Sequence, residues 1–274
     1  MNTRAIRVLL IGDAGRAEFR EAVAELRQSA DLLAVDDTKG ALDVLDSGEI
    51  VPDLMVVAQA FPGQFTAEDI DRLRPKAPLA RVIGLMGSWC EGEVRTGKPW
   101  PAAIRVYWHQ WPGRCRRELR RLAAGEGSTW ALPVTASDEE QFLAAADAPV
   151  ARHRGLVLIY SRQFEMQDWL ASACRRIGYA TVWMQPGRSP RAQGAVAAVF
   201  DFSGSVQSEV RDLESLAENL RPAPVVALLN FPRLDERDRV LAAGAAAALS
   251  KPLLLGDLFE QLDAVLRQQS PTGG

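Results

Sequence analysis

Cysteine is scarce in this chain of 274 residues: Cys90, Cys115 and Cys174 are odd in number and match no tight CxxC spacing. A disulfide framework is thereby excluded, and packed free thiols in a reducing compartment are expected. No run approaches the roughly 18–20 apolar residues that a membrane helix needs. The opening residues MNTRAIRVLLIGDAG lack the long apolar core and small-residue cleavage site of a signal peptide, so a cytoplasmic protein without membrane contact is expected. Neither sign of charge dominates. A net charge of -3 and a pI near 5.6 give no global attraction to nucleic acid or anionic lipid. Signatures of catalysis are missing too. No GxGxxG follows an apolar run and no GxSxG occurs, which removes the dinucleotide fingerprint and the nucleophile elbow. Gly97-Lys98 is followed by Pro99, where a P-loop needs Ser or Thr.

What is present is an ordinary globular composition, 47% hydrophobic and 24% charged, at a length that suits two domains. Apolar runs of strand length alternate with helical spacing. Arg7–Ile11 is bounded by Gly12-Asp13, and Phe19, Ala22, Val23 and Leu26 then mark one helix face. Further strands are expected at Leu32–Val35, Asp53–Val57 and Arg81–Met86, with Asp37 and Thr66 among the candidate caps of the helices between. From Gly155 the pattern restarts. Strands are expected at Leu156–Tyr160, Thr181–Met184, Val196–Phe200, Val225–Leu229 and Ala245–Leu249, before Lys251-Pro252 and a last helix through Leu258, Leu262 and Val265. Alternation of this kind demands crossovers and therefore parallel sheets covered on both faces.

Residues 87–114, GSWCEGEVRTGKPWPAAIRVYWHQWPGR, break the pattern with glycine, proline and four of the seven tryptophans. Loops this long are functional or disordered, and the aromatic content argues for order. One reading is a recognition surface with Trp89, Glu91, Arg95, Trp100, Trp108, His109 and Trp111 as binding residues, because Trp and Arg dominate interface hot spots. The other is a loop that buries its own tryptophans as a small core. Cys90, His109 and Cys115 lack the spacing and the fourth ligand of a zinc site. Cys90 beside Glu91, with His109 as a base, would make a nucleophile, but no orienting acid or oxyanion signature accompanies it. The following RCRRELRRL sets Cys115, Leu119 and Leu122 on one helix face, with arginines outside that either grip phosphates or form a solvated, paired face. Residues 125–153 read as an interdomain linker with a capping box at Ser137 and Glu140, and Trp130 and Phe142 in it are costly to leave in water.

Ala245 to Leu258, AAAALSKPLLLGDL, resembles the end of a receiver domain of two-component signalling: an apolar strand, lysine, proline and a final amphipathic helix. The frame Ala58-Gln59-Ala60-Phe61-Pro62-Gly63 resembles the turn after the third strand of the same family. The resemblance implies two doubly wound, five-stranded parallel sheets of flavodoxin-like topology, over 1–124 and 154–270, the first with a Trp-rich loop replacing its fourth helix. In the first half the phospho-accepting aspartate becomes Ala58, the acidic pair becomes Gly12-Asp13, and the lysine before proline becomes Trp111. In the second half Asp201 and Lys251 match the phospho-acceptor and the lysine, while the acidic pair becomes Tyr160 and Ser161 and the hydroxyl residue of the fourth strand becomes Leu229. Phosphoryl transfer needs a nucleophilic oxygen and a divalent cation held by carboxylates. Phosphorylation is thus denied to the first half and disfavoured at Asp201, whose alternative is a static ion pair with Lys251. The implied function is a non-catalytic signalling adaptor, with no cofactor, that contacts a signalling kinase, a regulator or itself.

Overall fold

The computed structural model describes residues 5–91, 100, 103–133, 136, 140, 153–187 and 194–269. The chain divides into two compact units, Met1–Ala148 and Pro149–Gly274. In the first, strands β1 (Arg7–Ile11), β2 (Asp31–Val35), β3 (Leu54–Gln59), β4 (Arg81–Met86) and β5 (Ile104–Tyr107) alternate with helices α1 (Arg20–Ser29), α2 (Thr38–Ser47) and α3 (Ala67–Leu73), and α4 (Trp111–Ala124) follows β5. All pairings are parallel, in the order β2-β1-β3-β4-β5. The expected caps form: the Asp37 carboxylate accepts from Gly40 N, and Thr66 and Asp69 make a capping box.

The second unit repeats the plan. It comprises β6 (Leu156–Tyr160), α5 (Phe164–Arg176), β7 (Ala180–Met184), β8 (Ala195–Asp201), α6 (Val206–Leu220), β9 (Val225–Asn230), α7 (Leu234–Ala242), β10 (Ala247–Lys251) and α8 (Leu255–Gln269). The sheet order β7-β6-β8-β9-β10 is that of the first unit, the flavodoxin-like order shared by receivers.

Strand periodicity divides each core. Val157, Ile159, Val199, Val226 and Leu228 pack with Leu170, Cys174, Leu258 and Leu262 from α5 and α8. Their alternates Leu158, Tyr160, Phe200, Ala227 and Leu229 pack with Leu213, Leu216 and Val240 from α6 and α7. Strands covered on both sides read as unbroken apolar runs, which is why they stand out in the sequence.

The expected loop over 87–114 is corrected in part: Ile104–Tyr107 form β5 and α4 begins at Trp111, while residues 92–99 and 101–102 of that loop lie outside the described residues, as does most of the expected acidic helix around Ser137. Part of the expected linker belongs to the first unit's core. Ser128 caps a short turn over Thr129–Ala131, and Trp130 is fully buried with its ring 5.5 Å from that of Trp111.

Candidate functional site

The two units place equivalent positions at the C-terminal ends of their strands, where open α/β sheets bind ligands. In the second, Tyr160 pairs with Phe200, and the residues after them are Ser161 and Asp201. In the first, Ile11 pairs with Val57, and the residues after them are Gly12 and Ala58. Gly12 has φ +118°, and a Cβ there would lie 2.8 Å from the Ala58 carbonyl oxygen, so the backbones approach too closely for a side chain. This register corrects one expectation. Ser161 and Arg162, not Tyr160 and Ser161, stand where the first unit has Gly12 and Asp13.

A second correction concerns the lysine. Asp201 pairs with Leu228 on β9, and Lys251 pairs with Asn230 two residues further on. Ala58 pairs with Leu85 on β4, two residues before Gly87. Met86 pairs with Tyr107, and Trp108 N extends the ladder to the Met86 carbonyl, so Trp108 lies beside Gly87. Trp108 therefore takes the lysine's place, and Trp111 is the first residue of α4.

Around Asp201 every polar group has a use. The carboxylate is fully buried. Its Oδ1 pairs with the Lys251 ammonium, and its Oδ2 accepts from Ser161 Oγ at 2.8 Å. Lys251 Nζ also donates to the Phe202 carbonyl at 2.8 Å, which takes a further bond from Asn230 Nδ2 at 3.1 Å. Ser161 is itself held, since its Oγ accepts from Gln163 N at 3.1 Å and its carbonyl accepts from Trp183 Nε1 at 3.0 Å. The short β8–α6 loop is tied by the buried Glu209 carboxylate, which accepts from Gly204 N at 2.5 Å. Arg162 turns away, to Asp212 at 2.9 Å and Glu209 at 3.6 Å. Burial first, then the Asp212 carboxylate that accepts from its hydroxyl at 2.6 Å, pushes the Tyr160 phenol far above its ordinary value. Among the described residues no three His, Cys, Asp or Glu side chains are placed to hold a metal.

The first unit's site residues divide. Trp100, Trp108 and Trp111 are buried, and a binding role for them on the surface is corrected to a packing role. The Trp100 indole lies on Gly84 of β4, where a Cβ would meet it at 3.2 Å, and Nε1 donates to the Phe65 carbonyl at 2.9 Å. Trp89 stands out from a short turn after β4, 75% exposed. Arg95 lies outside the described residues. His109 is buried, stacked on Tyr107, with Nε2 3.1 Å from Glu91 Oε1 and, among the described residues, no hydrogen-bond partner at Nδ1. Burial lowers the His109 pKa to about 4 and raises that of Glu91. Cys90 is buried, its Sγ 3.4 Å from the Gln59 carbonyl.

The arginine-rich α4 does not present a phosphate grip. Arg116 pairs bidentately with Glu25 on α1, and Arg117 pairs with the buried Glu118 at 3.0 Å. Burial alone would raise Glu118, but Arg117, the Ser128 hydroxyl at 2.7 Å and Thr129 N at 2.8 Å hold it below the usual range. Pairing of Glu118 with the arginines of its own helix is legible in RCRRELRRL, whereas its other partners, Ser128 and Thr129, lie in the stretch that reads as linker.

The two units share one flavodoxin-like strand order, and the second carries an Asp–Lys pair at its strand ends where the first has neither residue. No protein-family model and no curated protein matches the sequence. Among solved structures, full-length FixJ from B. japonicum is similar over 43% of this chain, at 17% identity and a TM-score of 0.33, and the chain covers 60% of it. A probable two-component response regulator/GGDEF domain protein is similar over 95% of this chain and 98% of its own, at 12% identity and a TM-score of 0.35. The C-terminus of E. coli RcsC, with linker and phosphoreceiver domain, is similar over 96% of this chain and 93% of its own, at 14% identity and a TM-score of 0.34. No helix among the described residues is long and apolar enough to cross a membrane.

Proposed function

We propose that the chain is a non-catalytic, cytoplasmic signalling adaptor that binds protein partners without aspartate phosphorylation. The observation that carries this reading is the state of Asp201: fully buried, with one oxygen on Lys251 and the other on Ser161. A phospho-acceptor must offer a free oxygen in line with the phosphoryl donor, beside carboxylates that hold the cation. Here the neighbouring positions are Ser161 and Arg162, and the first unit has Ala58 in place of the acceptor. Protein contact is supported by Trp89, an exposed indole of the type that anchors interfaces. The partner is a signalling kinase, a regulator or a second copy, and the paired arginines of α4 give no reason to expect nucleic acid.

Incubation with magnesium and acetyl phosphate, followed by intact mass measurement, should leave the wild type unmodified. A phosphoryl adduct lost in Asp201→Ala would overturn the reading. Capture of cellular proteins on the full chain should weaken with Trp89→Ala.

A second reading is favoured by one observation, the Nδ1 of buried His109 beside Glu91, which has no partner among the described residues: a small-ligand or enzymatic site at the Trp89-Cys90-Glu91 turn. A small-molecule library that perturbs the His109 imidazole resonances in the wild type, and does so less in Glu91→Gln, would support it.

A further inference from the structure

Helix α5 of the second unit has one face on the core and another in water. Leu170, Ala171, Ala173 and Cys174 are buried; Phe164 at the helix start is exposed against Trp183, and beyond it Glu165, Asp168, Trp169, Ser172, Arg175 and Arg176 are exposed. With 3.6 residues per turn, these six fall in a stripe about 120° wide. The charges on the stripe are sorted. Both acids lie in its N-terminal half and both arginines in its C-terminal half, with Trp169 and Ser172 between them. The macrodipole favours the same sorting, but it gives no reason for an indole held 41% exposed at the centre of the stripe.

The stripe is complementary to itself in one orientation. When two copies are laid antiparallel about a two-fold axis midway between Trp169 and Ser172, Glu165 of one copy comes level with Arg176 of the other. Trp169 then comes level with the small Ser172, and Asp168 lies within a turn of Arg175. A parallel pairing would set like charges against each other. Arg175 already leans along this stripe, its Nη2 2.9 Å from Ser172 Oγ and 4.0 Å from the Asp168 carboxylate. A two-fold contact uses the same patch on both copies, so one self-complementary face suffices. We infer that the exposed face of α5 binds the same face of a second copy of this chain, giving a symmetric antiparallel dimer with Trp169 as its anchor. The inference rests on the adaptor reading and names its partner.

Sedimentation velocity of the full chain over a concentration series tests it. The wild type should show a concentration-dependent dimer. Glu165→Arg with Asp168→Arg makes the face wholly basic, and Arg175→Glu with Arg176→Glu makes it wholly acidic. Each double variant should weaken dimerisation by roughly tenfold or more, as should Trp169→Ser. An equimolar mixture of the two charge variants should recover the dimer as a heterodimer. All these positions are exposed, and circular dichroism checks that each variant is folded. A wild type that stays monomeric at its highest soluble concentration overturns the inference, and so does a dimer unmoved by the charge variants. Either result leaves the adaptor reading intact if Trp89-dependent capture of another protein persists.

Discussion

Lys251 is 12% exposed and, among the described residues, pairs with one carboxylate, that of Asp201. Removing one partner of a buried pair leaves an uncompensated charge, so Asp201→Ala should cost about 3–5 kcal/mol in urea denaturation. Replacing both members, by Asp201→Leu with Lys251→Met, should cost less, which would mark the pair as a structural tie. His109 makes a prediction in pH. Its pKa in the folded chain is lowered to about 4 from 6.5. The unfolded chain therefore takes up this proton first as pH falls, so the contribution to stability is complete above about 6.5 and is lost progressively toward 4. Glu91, raised by burial, acts in the opposite sense at the acid end and offsets part of the loss. An NMR titration of the two imidazoles should show one with a pKa near 4 that disappears in His109→Phe, and this variant should flatten the acid limb of the stability curve.

Helix α4 shows how an element changes meaning once its neighbours are known. Its sequence reads as an apolar line with an arginine face, yet Arg117, Glu118 and Arg121 are all buried. The cover comes from residues 128–131, whose Ser128 and Thr129 hold Glu118 and whose Trp130 lies against Trp111. Trp130→Ala should cost about 3–5 kcal/mol, the range for deleting a large buried aromatic, and should lower the first unit's thermal transition while leaving the second unit's in place. Gly178, just after α5, has φ +100°, and a Cβ there would collide with the His153 carbonyl oxygen. Gly178→Ala should destabilise the second unit by more than about 1 kcal/mol, measurable by thermal denaturation. A glycine that follows a helical run is legible as a helix stop. The contact of Gly178 with a residue 25 positions earlier is not, because a backbone approach leaves no mark on composition.

For the whole molecule, each unit carries its own sheet and core, so residues 149–274 should fold alone, with a cooperative thermal transition and helical circular dichroism. A fragment that stays unfolded would mean that its core depends on the first unit. The strand runs Arg7–Ile11, Arg81–Met86 and Leu156–Tyr160 match the observed elements residue for residue. Apolar continuity is written locally, and a parallel strand buried on both faces has no other way to be built. That position 58 and positions 160–162 carry no acid was equally plain, since an absent side chain needs no coordinates, but the sheet register was needed to tell which two of those last three match Gly12 and Asp13. The tryptophans were another matter. Their number said that residues 87–114 matter, but which indoles turn inward depends on the room left by Gly84, the carbonyl of Phe65 and the ladder that sets Trp108 beside Gly87. Sequence alone determined the double scaffold and the residue types at the strand ends, because both follow from local pattern and residue identity. Tertiary structure alone decided that Asp201 is sealed, that Trp89 faces water and that α4 is covered, because each depends on residues distant in the chain meeting at one place.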